Sequence, residues 1–189
     1  MIEGKSFGNT AAASMQFLRD EPRLAHELLN MLTDMTIDYL KLQVEVGAAA
    51  LQVFESAAML LSTEQYREFA LPYQQRVFEA LRGLIPTIVF AREWDNLADL
   101  AAAGADIISL PSGLSIADAR RVLGENAVVQ GNLDNHLLAH SSQEAITEAA
   151  RACVKSGQHR GHIFNLNHGL LRETPFENIL NLIRTVHEA

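Results

Sequence analysis

The chain has 189 residues, of which 48% are hydrophobic and 20% charged, values that are ordinary for one globular domain with a buried core. Its formal net charge is −8, and the 15 Lys and Arg residues are dispersed, which argues against a nucleic-acid partner because phosphate binding needs clustered basic side chains. The apolar runs are interrupted by charges before they reach the roughly 18 to 20 residues that a membrane span requires.

The chain starts without the features of a secretory signal. The segment from Met1 to Lys5 contains an acid, Glu3, where a signal peptide has basic and then apolar residues. We therefore expect a cytoplasmic protein. A single cysteine, Cys153, excludes a disulfide framework and a thiolate cluster for a metal, so it is predicted to be a small, half-buried thiol.

One long helix and then a series of βα units are predicted along the chain. The helix runs from about Pro22 to Val46, where apolar residues from Leu24 to Leu42 recur at helical spacing. From residue 47 a glycine, a short apolar run, a polar loop and an amphipathic segment repeat, as is typical of parallel strands covered on both faces. The strand candidates are Ala50 to Phe54, Thr87 to Phe90, Asp106 to Leu110, Ala127 to Gln130 and His162 to Leu166.

Helix starts between these strands are predicted from local capping pairs. In such a pair a Ser or Thr side chain satisfies free backbone N–H groups, and an acidic or amide residue follows three positions later. The pairs are Ser62 with Gln65, Ser115 with Asp118, Ser141 with Glu144, and Thr174 with Glu177, where Pro175 takes the first helical position.

Alternating strands and helices predict a parallel α/β protein, either an open doubly wound sheet or part of a (β/α)8 barrel. No G-x-G-x-x-G motif follows any predicted strand, which favours the barrel. A complete barrel takes about 250 residues and eight strands, so a chain with about five strands is predicted to be one partial barrel domain over residues 1–189.

Polar residues at the predicted strand ends are the candidates for chemistry, because barrel enzymes build their sites there. His168, followed by Gly169, could bind a carboxylate or move a proton, or it could serve only its loop. Ser56 could bind a ligand or form a turn, and Arg92 could meet an acidic ligand or pair with Glu93. Asp134 could accept a proton, although aspartate in a loop is first a turn former.

Two further groups are predicted to be structural. His159 and His162 are three residues apart at the start of a strand, where they would face opposite sides rather than share a metal. Tyr66, Phe69 and Tyr73 recur at helical spacing and predict a packing face.

Four six-residue motifs follow one another along the chain: Leu51-Gln52-Val53-Phe54-Glu55-Ser56, Glu68-Phe69-Ala70-Leu71-Pro72-Tyr73, Val129-Gln130-Gly131-Asn132-Leu133-Asp134 and Phe164-Asn165-Leu166-Asn167-His168-Gly169. These motifs, in this order, resemble those of the uroporphyrinogen decarboxylase family, and the resemblance extends from Met1 to the C-terminus. It implies a distorted (β/α)8 barrel, usually a homodimer, that removes the four acetate-derived carboxyl groups of uroporphyrinogen to give coproporphyrinogen without a metal or organic cofactor. It also implies that Ser56 and His168 bind substrate. It does not identify a catalytic residue.

The chain also departs from the pattern of that family. The family's arginine-rich N-terminal segment, its pyrrole-binding aspartate and a tyrosine would all precede Met1, so the isolated chain is expected to bind substrate poorly. Within the match, Asn167 stands where Gly is usual, Met59 replaces a Gly, and Pro111-Ser112 replaces Asp-Trp. Arg92 stands where Lys is usual, which keeps the charge but changes the geometry.

Two alternatives follow from the same residues. The related cobamide-dependent methyltransferases build a zinc site from His and Cys, and this chain has one Cys, predicted in a helix. The other alternative is a non-catalytic, truncated barrel that binds another chain through sheet edges and apolar faces left uncovered.

Overall fold

The fold was obtained as a computed structural model, and it describes residues 11–157 and 161–189. Strands and helices alternate over these ranges, as the βα pattern predicts. The helices are α1 Ala12–Asp20, α2 Pro22–Glu45, α3 Thr63–Phe69, α4 Leu71–Leu81, α5 Leu97–Ala102, α6 Ile116–Leu123, α7 Asn135–His140, α8 Gln143–Ser156 and α9 Phe176–Glu188, with a short 3-10 helix Ala58–Leu60. The strands are β1 Leu51–Glu55, β2 Thr87–Ala91, β3 Ile107–Ser109, β4 Val128–Gln130 and β5 His162–Ile163.

The five strands form one parallel sheet in the order β1-β2-β3-β4-β5. A doubly wound sheet reverses its strand order at a switch point, whereas here every strand pairs with the next one along the chain. The sequential order confirms the barrel alternative. The protein is an α/β chain of five βα units from a (β/α)8 barrel.

All five predicted strands are present, and three of them are shorter than predicted, the fourth by one residue because it begins at Val128. The third begins at Ile107 because the Asp106 carboxylate accepts hydrogen bonds from the Thr87 backbone N–H and hydroxyl, both at 2.9 Å. The fifth ends at Ile163, and the chain pairs with its neighbour again only through an isolated bridge between Leu133 and Leu166.

Two of the four predicted caps are confirmed. Ser62 and Gln65 form a reciprocal capping box at the start of α3. At the start of α6, the Ser115 hydroxyl accepts the Asp118 N–H at 3.0 Å. Both caps depend on residues within one turn, which is why local sequence suffices to find them.

The other two predicted caps are wrong. Ser141 ends α7, and the N-cap of α8 is Ser142, whose hydroxyl accepts the Ala145 N–H at 3.3 Å. At α9 the N-cap is Pro175 rather than Thr174, because the Pro175 carbonyl already accepts the first helical hydrogen bonds. Each of these helices therefore begins one residue later than predicted, a difference that is common at helix ends.

Helix α2 buries a different face from the one that its apolar spacing suggests. Its fully buried residues are Ala25, Thr33 and Leu40, of which Leu40 packs with the residues of β1 and α4. The large apolar side chains on the other side remain exposed. This α2 apolar face consists of Leu24 (43% exposed), Met31 (64%), Met35 (65%), Tyr39 (62%) and Leu42 (53%). Among the helices of the described ranges, none has both the length and the apolar character needed to cross a membrane.

The main core lies between the sheet and helices α3 to α6. Val89, Ile108 and Val129 from the strands pack there with Phe78 and Leu100 from the helices. The predicted aromatic packing face is confirmed, since Tyr66 and Phe69 are buried and Tyr73 is half-buried. Tyr66 also stacks on Trp94, with ring centroids 4.2 Å apart.

The end of α8 depends on a glycine at residue 157. A Cβ added to Gly157 would lie 2.2 Å from the His162 Nδ1 atom, so the imidazole would have to move and lose its hydrogen bond to the Gly131 carbonyl. We expect Gly157→Ala to lower the free energy of unfolding by about 1–3 kcal/mol, as overpacking does. Urea denaturation measures this loss. In a His162→Ala background the same change should cost much less, and an equal cost in both backgrounds would contradict the steric explanation.

Candidate functional site

Three strand-end loops enclose one cavity of about 430 Å³. Ser56 follows β1, Arg92 follows β2 and His168 lies beyond β5, and all three line this cavity. The carboxyl ends of parallel barrel strands meet at one face, which is why residues far apart in the sequence converge here. The site therefore has the position at which barrel enzymes bind their substrates.

His168 presents one hydrogen-bond donor to the cavity. Its Nδ1 atom accepts the Gly169 backbone N–H at 2.7 Å, which leaves the proton of the neutral ring on Nε2. The exposed ring packs edge-on against Phe90, with centroids 5.9 Å apart. These two contacts hold the imidazole so that Nε2–H can donate to an acidic ligand.

Ser56 and Arg92 are held close together by the backbone. The Arg92 N–H donates to the Glu55 carbonyl at 3.0 Å, which extends the β1–β2 ladder into the two loops. The exposed Ser56 hydroxyl and the half-buried Arg92 guanidinium both line the cavity. Ser56 therefore supplies a neutral hydrogen-bond donor, and Arg92 supplies a cation, to the same cavity.

Arg92 also forms the predicted pair with Glu93, with Nε 3.3 Å from the Glu93 carboxylate. The side chains are 40% and 65% exposed, so this pair contributes little stability. Glu93 has a φ of 51°, an uncommon backbone conformation for a residue other than glycine. Because the pair is weak, Arg92 could exchange Glu93 for a ligand carboxylate at little cost.

A second cavity, of about 370 Å³, adjoins the first and shares Phe90, Arg92 and His168 with it. Asp134 lines this second cavity. Its carboxylate caps α7 by accepting the His136 N–H at 2.9 Å, so Asp134 has a structural role at the start of this helix. The carboxylate is thus bound to its own helix while it faces the cavity.

The polar residues that line the first cavity along the strands were missed by the sequence reasoning. Gln130 donates through Nε2 to the Gln52 side-chain oxygen, Oε1, and to the Ser109 hydroxyl, both at 3.3 Å. All three residues line the cavity, and Ser109 and Gln130 are buried. The available signal was a polar residue within β1 and at the ends of β3 and β4, in strands that are largely apolar, because a polar group that faces the inside of a barrel needs a partner.

The departures from the family pattern have structural counterparts. The Asn167 side-chain oxygen accepts the Asn135 N–H at 2.8 Å, and Asn135 in turn donates to the Gly169 carbonyl at 2.8 Å. Asn167 therefore ties the loop that carries His168 to the start of α7. Met59 lies in the short 3-10 helix after Ser56, and Pro111-Ser112 lines the second cavity.

The remaining candidates lie away from the cavities. His162 bonds to the Gly131 carbonyl, which agrees with its predicted structural role, while His159 lies outside the described residues. Cys153 is half-buried in α8, as predicted, and burial raises the pKa of its thiol. Within residues 11–157 and 161–189, no three His, Cys, Asp or Glu side chains are grouped so that they could hold a metal ion.

Known proteins similar to this chain share its motifs and its fold. The uroporphyrinogen decarboxylase family model matches residues 1–189. A uroporphyrinogen decarboxylase from Chlorobium phaeovibrioides is 40% identical over 194 residues, covering 99% of this chain and 55% of the relative. One from Carboxydothermus hydrogenoformans is 39% identical over 190 residues, covering 100% and 54%.

A solved structure also matches this fold. A methyltransferase from Methanosarcina mazei superimposes with a TM-score of 0.82 at 22% identity, over 94% of this chain and 53% of that one. At this identity the likeness concerns the fold alone. The chain spans about half the length of the curated relatives it matches. Because the family model matches the full sequence, the chain belongs to the uroporphyrinogen decarboxylase family.

Proposed function

We propose that this chain forms the carboxylate-binding side of a uroporphyrinogen decarboxylase active site. The reaction would convert the four acetate side chains of uroporphyrinogen to methyl groups and yield coproporphyrinogen and CO2, without a cofactor. The observation that carries the proposal is the convergence of Ser56, Arg92 and His168 on one cavity at the carboxyl ends of the strands. The unit would be the single partial barrel domain over residues 1–189.

The three side chains suit an acidic substrate. The His168 Nε2–H and the Ser56 hydroxyl can donate hydrogen bonds to carboxylates, and the Arg92 guanidinium adds charge to such a bond. Placing an acetate arm in one cavity and a neighbouring arm in the adjoining one would use Arg92 and His168 for both, since both cavities share them. These residues would bind and orient the substrate.

The chemistry then requires a proton and an electron sink. Protonation of a pyrrole ring carbon lets the C–C bond to the carboxylate break, so that CO2 leaves and the bonding electrons move into the ring. A second proton converts the resulting exocyclic methylene to a methyl group, and loss of the first proton from the ring carbon restores the pyrrole. Donors that hold the substrate carboxylates keep the reacting arm aligned with the protonated ring. The residue that donates the proton is not assigned to this chain.

The negative net charge of the chain limits how well it can bind an acidic substrate on its own. A substrate with eight carboxylates is repelled by a chain of net charge −8 unless cations are concentrated at the site. Arg92 is the cationic residue that lines both cavities. We therefore propose that further cationic side chains complete the site, in a cytoplasmic homodimer without a nucleic-acid partner.

A second candidate function is a non-catalytic binding partner. It is favoured by the α2 apolar face, on which Met31, Met35 and Tyr39 are each more than 60% exposed. Phe54 on strand β1 is also 61% exposed, at the edge of the sheet. Contiguous exposed apolar surface of this kind marks interaction sites.

A decarboxylation assay with uroporphyrinogen separates the two candidates. The 189-residue chain is compared with a fusion in which the unmatched part of the Chlorobium phaeovibrioides enzyme precedes it, and with the two pieces mixed. We expect coproporphyrinogen from the fusion and little from the chain alone. Association of the two pieces without turnover would favour the binding function, and full activity of the chain alone would contradict the requirement for further cations.

A further inference from the structure

The first cavity is polar at its buried end as well as at its mouth. We call the buried end the floor and the mouth the rim. The floor consists of Gln52, Ser109 and Gln130, and the rim consists of Ser56, Arg92 and His168. Ser109 and Gln130 are 3% and 4% exposed, whereas Ser56 and His168 are exposed. Because Gln52 precedes Ser56 by four residues, the floor lies about 13 Å from the rim along β1, at roughly 3.3 Å per residue.

Gln130 fixes the orientation of the other two floor side chains. Its Nε2 hydrogens go to the Gln52 Oε1 atom and to the Ser109 hydroxyl oxygen. An amide that accepts through its oxygen keeps its nitrogen as a donor, and a hydroxyl that accepts keeps its own hydrogen. Neither the Gln52 amide nitrogen nor the Ser109 hydroxyl hydrogen has an acceptor within residues 11–157 and 161–189. The floor therefore offers a ligand two neutral hydrogen-bond donors.

The floor differs from the rim in charge. Among the described residues that line the first cavity, Arg92 is the one whose side chain is permanently charged, and it lies at the rim. Phe54 lies between Gln52 and Ser56 on the same face of β1. Its ring packs against that of Phe90, with centroids 5.5 Å apart. Aromatic side chains thus separate the neutral floor from the cationic rim.

Decarboxylation removes the charge of one carboxylate and leaves the others charged. When the C–C bond to the reacting carboxylate breaks, the bonding electrons move into the protonated ring and neutral CO2 leaves. A cation on that carboxylate would stabilise the substrate more than the transition state and would slow the step. Neutral donors in a buried place hold the carboxylate with less loss as its charge departs. The carboxylates that do not react can stay bound to Arg92 throughout.

We propose that the floor is the subsite for the carboxylate of the reacting acetate arm. The Gln52 Nε2–H and the Ser109 hydroxyl donate to that carboxylate, and Gln130 positions both donors. The rim binds carboxylates that do not react. This inference rests on the proposed function and deepens it, because it states which part of the cavity holds the arm that loses CO2.

Gln52→Glu tests the floor with little change of shape. The new side chain keeps an oxygen for the Gln130 N–H, removes the amide donor and adds a negative charge beside the reacting carboxylate. In the active fusion we expect kcat/KM for uroporphyrinogen to fall about 100-fold or more, since a hydrogen bond is replaced by repulsion between like charges. Coproporphyrinogen has methyl groups in place of the acetate arms and uses only the rim. Its inhibition constant should therefore hardly change.

The matched control makes one deletion at two depths of the cavity. Ser109→Ala removes a donor from the floor and should lower kcat/KM for uroporphyrinogen about tenfold, with little effect on the inhibition constant of coproporphyrinogen. Ser56→Ala removes a donor from the rim and should weaken both porphyrinogens by a similar factor. Urea denaturation checks that Ser109→Ala folds, because the variant leaves a Gln130 N–H without its acceptor.

The two porphyrinogens separate this inference from the proposed function. Equal losses for both after Gln52→Glu would indicate a general distortion of the site, and unchanged turnover would place the reacting arm elsewhere. Either result overturns the floor subsite while an active fusion still supports the proposed function. A fusion without turnover contradicts the proposed function. Equilibrium titration of the fusion with each porphyrinogen then decides the subsite, which requires Gln52→Glu to weaken uroporphyrinogen binding alone.

Discussion

Phe78→Ala is expected to remove most of the stability of the fold. The side chain lies in α4, is 1% exposed and packs in the main core against the sheet. Truncating a buried Phe lowers the free energy of unfolding by about 3–5 kcal/mol, because the burial of the apolar ring is lost and a cavity remains. Domains of this size are stable by only about 5–15 kcal/mol, so the variant should unfold at a much lower urea concentration.

The matched control is Phe176→Ala at the start of α9, where the side chain is 67% exposed. Its free energy of unfolding should change by no more than about 0.5 kcal/mol, as is usual for surface positions. Circular dichroism during urea denaturation measures both variants. Equal losses would contradict the placement of Phe78 in the core or of Phe176 on the surface.

His168→Ala is expected to have the largest effect on substrate binding. The substitution removes the Nε2–H donor, and a hydrogen bond to a charged group contributes about 1.5–3 kcal/mol. This corresponds to an increase of about tenfold to 100-fold in the dissociation constant for uroporphyrinogen, measured in the active fusion. Since the ring is exposed, the free energy of unfolding should hardly change.

Two further variants assign the cause of that loss. His168→Phe keeps an aromatic ring against Phe90 but cannot donate, so it should bind as poorly as His168→Ala. His140→Ala removes an exposed histidine at the end of α7, whose pairing with Glu173 is long at 3.8 Å, and should bind normally. If His168→Phe bound like the wild type, packing rather than hydrogen bonding would explain the role of His168.

The candidate site was only partly predictable. Ser56 and His168 were identified through motifs, and Arg92 through its place after a strand. Gln52, Ser109 and Gln130 were missed because they lie in three separate, largely apolar strands, and nothing local shows that the three side chains meet.

The sequence by itself determined the elements whose causes are local. Apolar runs identified five strands, capping pairs identified two helix starts, and the ordered motifs identified the family. Such signals come from contacts within one turn or from the residue pattern of one strand. They can therefore be recognised before the tertiary fold is known.

Only the tertiary structure decided which faces and loops meet. The sequential order of the parallel strands brings Ser56, Arg92 and His168 to one cavity, and the packing of α4 on α2 determines which side of α2 is buried. The apolar spacing of α2 predicted a helix with Met35 and Tyr39 on one face. The structure leaves both side chains exposed. Periodicity specifies which residues share a face, whereas burial of that face depends on what the rest of the chain places against it.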